Sequence, residues 1–381
     1  MQPQLDVVIA GAGPTGIAAA LFLRARNCHV RIIDKLDEPT PHSRAQVINP
    51  RSLELLEASG VTDMLLKEGR PFRGVRFYDG WQDLAHLDFS DVHPRFPMLA
   101  LPQARTEAIL TEALQARGVT VERGRELIGF TQDDHGVRAD VRTADGVSAI
   151  DARLLLAAEG AHSATRERLG FAFEGTTYPE DWPLYDIRLE MPLDVEYAHV
   201  SFTKGGLVFF LQIGPGLWRV FGNVAEPLDH LPAGSRSGEV IWQSNFRVSH
   251  RLATQEAKGR VVVAGDAAHI HSPVAARGMN LGIEDAAAFA EAATRALGGE
   301  TDAIAIYAQQ RHDIHKSVVG RIENLTFAGR GRPDLVGLLR SYLFPAMTHF
   351  RPLAHMMLGL VTGLDHPAPT TASEANPSLA G

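Results

Sequence analysis

The sequence contains a single cysteine, Cys28, among its 381 residues. One thiol cannot form an internal disulfide or supply a cysteine-based zinc site, so we expect a protein of a reducing compartment, the cytoplasm. Basic residues are also not in excess, because 37 Lys and Arg stand against 45 Asp and Glu, a formal net charge of −8. The basic footprint of a nucleic-acid binder is therefore missing, and small molecules are the expected partners.

Long apolar runs are absent as well. The N-terminus, MQPQLDVVIAGAGPTG, has no basic segment and no small-residue cleavage site, which excludes a signal peptide. The apolar segment Met356–Leu364 is far shorter than the roughly 20 residues needed to cross a bilayer. We therefore expect neither a leader nor a membrane span.

Two kinds of catalytic site lack their sequence signals. The closest histidine pair, His269 and His271, has no carboxylate or third histidine at helical ligand spacing nearby, so no metal site is expected. Ser163 and the other serines lack a G-x-S-x-G turn, which removes support for a serine hydrolase. Tyr307 and Arg311 lie four residues apart on one predicted helix face, and we assign them a structural role.

Glycine is abundant, since 35 of the 381 residues are glycine and this fraction is above the usual share of about 7%. Gly11, Gly13 and Gly16 follow the apolar run Leu5–Ala10 and precede an alanine-rich stretch, which predicts a strand, a tight turn and a helix. Such a turn lets the backbone and the helix N-terminus approach a pyrophosphate. Asp34, at the end of the next predicted strand, is placed to accept ribose hydroxyls. The unit predicts a dinucleotide site but leaves nicotinamide and flavin dinucleotides open.

A second glycine cluster narrows that choice. The segment GRVVVAGDAAH ends at His269 and is followed by Pro273 and by Gly278-Met-Asn. With these elements the sequence resembles the flavoprotein aromatic hydroxylases, the single-component FAD-dependent monooxygenases with the p-hydroxybenzoate hydroxylase fold. Ser43-Arg44-Ala45, Gln103 with Glu107, and the segment Leu154–Arg166 also resemble motifs of that family.

The resemblance, which covers about Leu5 to Leu364, implies FAD as cofactor and NADPH or NADH as co-substrate. It implies cofactor contacts at Gly11, Gly13, Pro14, Thr15, Gly16, Asp34, Lys35, Arg44, Gln103, Leu127, Gly160, Asp266, Pro273, Gly278, Met279 and Asn280. Arg44 and Pro273 are the candidates for residues beside the reacting flavin. No catalytic acid or base is assigned.

The expected fold is mixed α/β, a Rossmann-like FAD domain with an inserted β-sheet substrate domain and a C-terminal helical segment. Residues 1–72, 98–177 and 258–300 are assigned to the FAD domain, 73–97 and 178–257 to the substrate domain, 301–365 to the helical segment and 366–381 to a disordered tail. Relatives often carry a further thioredoxin-like domain, and we expect none here, because the sequence ends soon after Leu364. We expect a monomer or a homodimer.

In that family NAD(P)H reduces the flavin, O2 adds to give a C4a-hydroperoxide, and oxygen is transferred to an electron-rich ring. The implied substrate is a phenolic or polycyclic aromatic compound. Baeyer–Villiger oxygenation, oxidative decarboxylation and a non-catalytic flavin-binding role remain alternatives, whereas a halogenase is disfavoured because no W-x-W-x-I-P run occurs. Candidate pocket walls, for which core packing is the alternative role, are Phe202, Phe209, Phe210, Trp218 and Phe221.

Two positions depart from the family pattern. Glu159 stands where relatives have aspartate before Gly160, and Ala275-Ala276-Arg277 replaces a glycine-glycine-glutamine run. We hypothesise that Arg277 stabilises anionic reduced flavin. The alternative is an arginine that faces solvent.

Overall fold

The computed structural model describes residues 5–41, 45–330, 345 and 350–369. Arg44 and the residues beyond 369 lie outside these ranges, so the expectations placed on them have no structural outcome. Among the described residues, no helix is both long and apolar enough to cross a membrane.

A six-stranded sheet is the centre of the first layer. In spatial order its strands are β18 (Ala257–Lys258), β19 (Val261–Val263), β12 (Leu154–Ala157), β1 (Val7–Ala10), β2 (Val30–Ile33) and β8 (Val121–Glu122). All neighbours pair in parallel except β18 and β19. The central strands are continuous Val, Ile and Leu runs buried on both faces, as parallel strands covered on two sides require.

Each face of this sheet is covered by other elements. On one side lie α1 (Pro14–Ala25), α4 (Gln103–Gln115) and α6 (Gly278–Leu297), which share one hydrophobic core with it. On the other side lies the antiparallel sheet of β9 (Glu126–Gln132), β10 (Val137–Thr143) and β11 (Gly146–Ala152). The predicted Asp145-Gly146 turn does join β10 to β11, with Gly146 at φ +124°.

An eight-stranded sheet is the second large unit. In spatial order its strands are β20 (His269–Ile270), β17 (Arg236–Ala253), β13 (Phe173–Glu190), β16 (Leu217–Gly222), β15 (Gly206–Gly214), β14 (Tyr197–Thr203), β5 (Gly74–Asp79) and β6 (Gln82–Asp88). Its pairs are antiparallel except β14 with β5. A small sheet consists of β3 (Val47–Ile48), β7 (Met98–Ala100) and β4 (Arg70–Phe72). It packs against one face of the eight-stranded sheet, and the two share a hydrophobic cluster.

The other α-helices among the described residues are α2 (Pro50–Glu57), α3 (Thr62–Glu68), α5 (Ala164–Arg168), α7 (Ala303–Arg330) and α8 (Arg351–Thr362). Asn49 caps α2 as its sequence indicates, because its side chain accepts a 2.9 Å hydrogen bond from the Ser52 amide. The expected mixed α/β fold is confirmed. The residue boundaries between domains stay a prediction, and β13 runs across the boundary proposed at residue 177.

Candidate cofactor and substrate site

The first glycine turn is shaped by close backbone contacts. A Cβ at Gly11, whose φ is +102°, would lie 2.1 Å from the Ala158 carbonyl oxygen, and one at Gly16 would lie 1.9 Å from the Gly11 oxygen. At Gly13, by contrast, no atom stands within 4 Å of the position that a Cβ would take, so this side of the turn is open. The turn therefore has the shape that lets a phosphate approach its backbone.

Helix α1 begins directly at this turn. Gly13 is its N-cap, Pro14 is its first residue, no side chain caps it, and its first turn holds no acidic residue. An uncapped helix N-terminus presents backbone N–H groups and the positive end of the helix dipole. This donor set fits the pyrophosphate of a dinucleotide.

Asp34 lies beside the same turn, immediately after β2. Its carboxylate accepts hydrogen bonds from the backbone amides of Ala12, at 2.6 Å, and of Leu36, at 2.9 Å. Lys35, which lies between Asp34 and Leu36 in the chain, has an exposed side chain. The carboxylate is thus fixed at the position from which it could meet a ribose.

Gln103 and Glu107 approach Asp34 from α4. The Gln103 amide donates to the Glu107 carboxylate at 2.7 Å. Burial raises the pKa of Glu107, and the nearby Asp34 charge acts in the same direction. The structure therefore brings Glu107 close to Asp34, which is far from it in the sequence.

The second glycine cluster packs on the first. A Cβ at Gly265 would lie 2.5 Å from the Thr15 hydroxyl oxygen, and one at Gly282 would lie 2.2 Å from it. Only glycine at these positions lets α6 come this close to α1. Asp266 is exposed in a segment whose neighbours are buried, and α6 begins at Gly278 with no side-chain cap and no acidic residue in its first turn. The uncapped N-termini of α1 and α6 thus border one region, which we call the cofactor region.

Asn280 plays a different part from that of a direct ligand. Its side-chain amide donates to the carbonyl oxygens of Val47 and Ala276, at 2.9 and 2.7 Å. Its oxygen accepts from the Asn49 amide at 3.0 Å and from the Ser52 hydroxyl at 2.8 Å. All four hydrogen-bonding positions of the side chain are therefore filled by protein. Asn280 holds the start of α6 against β3 and α2, and any cofactor contact at this residue must come from its backbone.

The segment before α6 joins the cofactor region to a cavity. Pro273 opens a short 3-10 turn that is capped by the Ser272 hydroxyl, and Ala276 ends it at φ +53°, in the left-handed region. Val274, Ala275 and Ala276 line the cavity. Met279, the second residue of α6, is 9% exposed and packs in the core shared with α1.

Glu159 retains a capping function in spite of its departure from the family pattern. Its carboxylate accepts from the Ser163 hydroxyl at 2.6 Å and from the Thr165 amide at 3.1 Å, at the start of α5. Gly160 follows at φ +80° with open space on its side-chain side. Leu127 is buried in the core between the parallel sheet and the β9–β11 sheet, so its side chain has a packing role.

Arg277 is fully buried, which contradicts the alternative of a solvent-facing arginine. Its guanidinium lies 3.3 Å from the Glu284 carboxylate and 3.5 Å from that of Asp365. The Gly363 backbone closes over it, since a Cβ there would stand 2.6 Å from Arg277 Nη1. The cation is compensated within the protein and ties α6 to the segment after α8. Stabilisation of reduced flavin by Arg277 stays a prediction.

A buried ion-pair network lies beneath the second glycine cluster. The Asp285 carboxylate accepts from His269 at 2.8 Å, His315 at 2.7 Å and Arg311 at 2.8 Å, and His315 also contacts Glu256 at 2.7 Å. Burial lowers the pKa of His315, but the Asp285 and Glu256 carboxylates outweigh it and raise that pKa to about 9. Burial raises the pKa of Asp285, but His315, Arg311 and His269 outweigh it and hold that pKa well below its usual range.

The side chains of His269, Asp285 and His315 could in principle surround a metal ion, because their ligand atoms lie within 4.8 Å of one another. Arg311 occupies the Asp285 carboxylate, however, and a protonated His315 has no lone pair for a metal. We interpret the group as an ion-pair network. Its members come from α6, α7, β20 and the segment before β18, so local ligand spacing could not have found it.

The cavity lies on one face of the eight-stranded sheet, where the small sheet, α7 and α8 cover it. Every described residue that lines it is apolar. Phe202, Phe209 and Phe221, three of the candidate walls, are among them. The walls that sequence reasoning missed include Phe72, Phe77 and Phe89 from the strands around β5 and Leu325, Met357 and Val361 from the helices. The alternation of Val75 and Phe77 in β5 was the available signal.

Phe210 and Trp218 do not line this cavity, and they have the alternative role of core packing. Both are buried on the opposite face of the sheet, in a separate cluster with Ile187, Leu189, Val208 and Val220. Successive residues of a strand point to opposite faces, and Phe209 and Phe210 are neighbours in β15. The sequence marks both as apolar and does not tell which face is the pocket face.

Comparison with known proteins agrees with this geometry. The family model described as FAD binding domain matches residues 4–207 and 229–321. The chain is 35% identical over 309 residues to 6-methylpretetramide 4-monooxygenase of Streptomyces rimosus, covering 75% of this chain and 55% of that protein. It is 32% identical over 302 residues to pentachlorophenol 4-monooxygenase of Sphingobium chlorophenolicum, covering 74% and 56%. The chain thus spans little more than half the length of these relatives.

A solved structure shows the same fold over nearly the whole chain. Anhydrotetracycline hydroxylase from Streptomyces rimosus superposes with a TM-score of 0.81 at 28% identity, covering 96% of this chain and 77% of that one. The residues matched by the family model include the two glycine clusters that meet at Thr15. The chain belongs to the FAD binding domain family.

Proposed function

We propose that this chain is an FAD-dependent monooxygenase that uses NADPH or NADH and O2 to hydroxylate a phenolic or polycyclic aromatic compound. The observation that carries the proposal is the apolar cavity. Val274, Ala275 and Ala276 form part of its wall, and in the chain they lie between Pro273 and Gly278, two of the residues proposed to contact FAD. A flat apolar ring in this cavity would lie next to the cofactor region. The names of the relatives, which oxygenate aromatic compounds, favour the same activity.

The proposed cofactor contacts are those of the two glycine clusters. The turn of Gly11, Gly13 and Gly16 with the N-terminus of α1 would hold the pyrophosphate, and Asp34 would hold a ribose. Asp266 and the N-terminus of α6 would hold the remaining part of the FAD. When bound, FAD would supply the redox chemistry with O2, and the protein would supply position and surroundings.

The cavity lining determines what the protein can contribute to the reaction. None of its described residues carries a group that could take or give a proton. The walls therefore orient the ring by packing and exclude water from the reacting centre. The electron density for oxygen transfer must come from the substrate itself, which favours a ring bearing hydroxyl groups.

The proposal is tested by turnover of the purified full chain. Bound flavin is first verified by absorbance, and oxidation of NADH and of NADPH is then followed with phenols, naphthols and polycyclic aromatics. We expect at least one aromatic compound to stimulate oxidation and to gain one oxygen atom. Bound flavin without aromatic-stimulated oxidation under either nicotinamide would reject the hydroxylase and favour a non-catalytic role. A ring-expanded lactone would indicate Baeyer–Villiger chemistry, and loss of CO2 would indicate oxidative decarboxylation.

A further inference from the structure

Two histidines close to the turn that lines the cavity have buried ring nitrogens without a hydrogen-bond partner. His250 is 2% exposed, and neither of its ring nitrogens has a hydrogen-bond partner. The Nε2 atom of His271 is also buried and without a partner. Buried polar groups in proteins are normally hydrogen-bonded, so these nitrogens point to a ligand that completes them.

The sheet register places the two histidines side by side. β17 and β20 pair antiparallel, with Leu252 opposite His269 and Arg251 opposite Ile270. One step further along this register, His250 lies opposite His271, and side chains opposite each other in an antiparallel pair share one face. His250 also lies on the same face of β17 as Phe246 and Val248. Both of these residues belong to the hydrophobic cluster that surrounds the cavity, the pocket cluster.

This position adjoins the cavity-lining turn in the chain and the start of α6 in space. His271 precedes the cavity residue Val274 by three positions, and its ring lies 4.0 Å from the point where a Gly278 Cβ would stand. The Tyr178 ring, which packs against the pocket cluster, meets His250 edge-on at 5.5 Å between ring centroids. The histidine pair therefore lies just beyond the described apolar lining of the cavity, which includes neither ring.

The tautomer of His271 defines the partner that it requires. Its Nδ1 lies 2.9 Å from the Ser272 carbonyl oxygen, which can only accept, so Nδ1 carries the proton. Burial lowers the pKa of His271 to about 3, and burial also lowers that of His250, so both rings are neutral at pH 7. The Nε2 atom of a neutral ring protonated at Nδ1 is an acceptor. Its missing partner must be a hydrogen-bond donor.

We propose that His250 and His271 form a polar subsite at the edge of the cavity, in which His271 Nε2 accepts a hydrogen bond from a hydroxyl group of the aromatic substrate. This inference rests on the proposed function for the nature of the ligand. An imidazole this reluctant to ionise does not remove the proton of a phenol, whose pKa is about 10. His271 therefore positions the ring and selects for a free hydroxyl group, and His250 is placed to bind a second polar atom beside it.

The test measures binding to the flavin-loaded full chain, without NAD(P)H, by the change in flavin absorbance. The probes are 1-naphthol and 1-methoxynaphthalene, which differ in whether the oxygen can donate. We expect 1-naphthol to bind about tenfold more tightly, the value of one hydrogen bond. In His271→Leu this preference disappears while the affinity for 1-methoxynaphthalene stays within about twofold, and His271→Gln, which retains an acceptor, recovers part of it. His250→Leu is expected to weaken 1-naphthol more than 1-methoxynaphthalene.

Phe202→Ala is the matched control, because loss of an apolar wall should weaken both probes alike. Equal affinity of the unmodified protein for the two probes, no measurable binding of 1-naphthol, or an equal loss of both in His271→Leu would overturn the subsite. Loss of flavin from His271→Leu and His271→Gln with an unchanged probe preference would assign the histidine to the cofactor and overturn it as well. A protein that discriminates the probes but oxidises no aromatic compound retains the subsite and loses the proposed function.

Discussion

Ala276 is a residue whose backbone and side chain are in conflict. Its φ of +53° lies in the left-handed region, which costs a residue with a Cβ roughly 1 kcal/mol or more. The conformation persists because the Asn280 amide holds the Ala276 carbonyl oxygen and the turn leads directly into α6. Strain of this kind next to a cavity and a cofactor region is typical of functional segments.

Replacement of Ala276 by glycine should therefore stabilise the protein. We expect Ala276→Gly to raise the free energy of unfolding by about 1 kcal/mol, measured by urea denaturation. Ala275→Gly is the matched control, because Ala275 is buried and has no positive φ, and we expect it to destabilise the protein by about 0.5–1 kcal/mol. If both variants lost stability to the same extent, strain at Ala276 would not be the cause.

Asn280 should contribute more to the stability of the protein than a side chain that only contacts the cofactor would. Asn280→Leu has nearly the same size but leaves Val47 O, Ala276 O and the Asn49 amide without their partner, at a cost of about 2–4 kcal/mol in the free energy of unfolding. Urea denaturation of the flavin-free protein measures this cost. A loss seen only when FAD is bound would instead identify Asn280 as a direct ligand.

Among the secondary-structure elements, the ion pairs between α6 and α7 make a pH-dependent contact. The folded-state pKa of His315, about 9, is above the 6.5 of a free histidine, so its stabilising effect is complete below about pH 6.5 and is lost as the pH rises through 9. His366, whose pKa is also raised by its carboxylate partners in spite of burial, acts in the same direction.

The free energy of unfolding should accordingly fall by up to roughly 3 kcal/mol between pH 6.5 and pH 10. Urea denaturation at several pH values checks the slope. His315→Gln should be less stable at pH 7 and should show a weaker dependence over this range. A stability that rises with pH in this window would contradict a protonated His315.

The two faces of the eight-stranded sheet provide a second prediction at this scale. Phe202 and Phe210 lie on neighbouring strands and are 2% and 0% exposed, but only Phe202 faces the cavity. Truncation of either to alanine should cost about 3–5 kcal/mol of stability. Only Phe202→Ala should raise the KM for the aromatic substrate or increase NAD(P)H oxidation without product. Equal kinetic effects of the two variants, compared at a temperature where both are folded, would place the substrate elsewhere.

At the level of the whole molecule, the sequence was most informative where function restricts residue type. Gly11, Gly16 and Gly265 must lack a side chain for a steric reason, and this requirement makes the motif visible without a structure. Strand and helix periodicity likewise predicted β1, α1 and the β10–β11 hairpin. The mixed α/β fold followed from these elements together.

The sequence was less informative where tertiary contacts decide. Phe209 and Phe210 are both apolar, and only the packing of the small sheet, α7 and α8 determines which of them faces the cavity. Asp285, His315 and Glu256 are scattered along the chain and meet only in the fold. The pairing of Arg277 with Glu284 and Asp365 depends on the segment after α8, which no local pattern predicts.

The central claim is that the two glycine clusters hold an FAD next to a cavity in which an aromatic ring receives oxygen. The most direct measurement is mass spectrometry of the product formed by the purified protein from NAD(P)H, an aromatic substrate and 18O2. We predict a product with one added oxygen atom that carries the label from 18O2 and not from water. A product without the label, or consumption of NAD(P)H that yields only hydrogen peroxide with every aromatic compound tried, would contradict the claim.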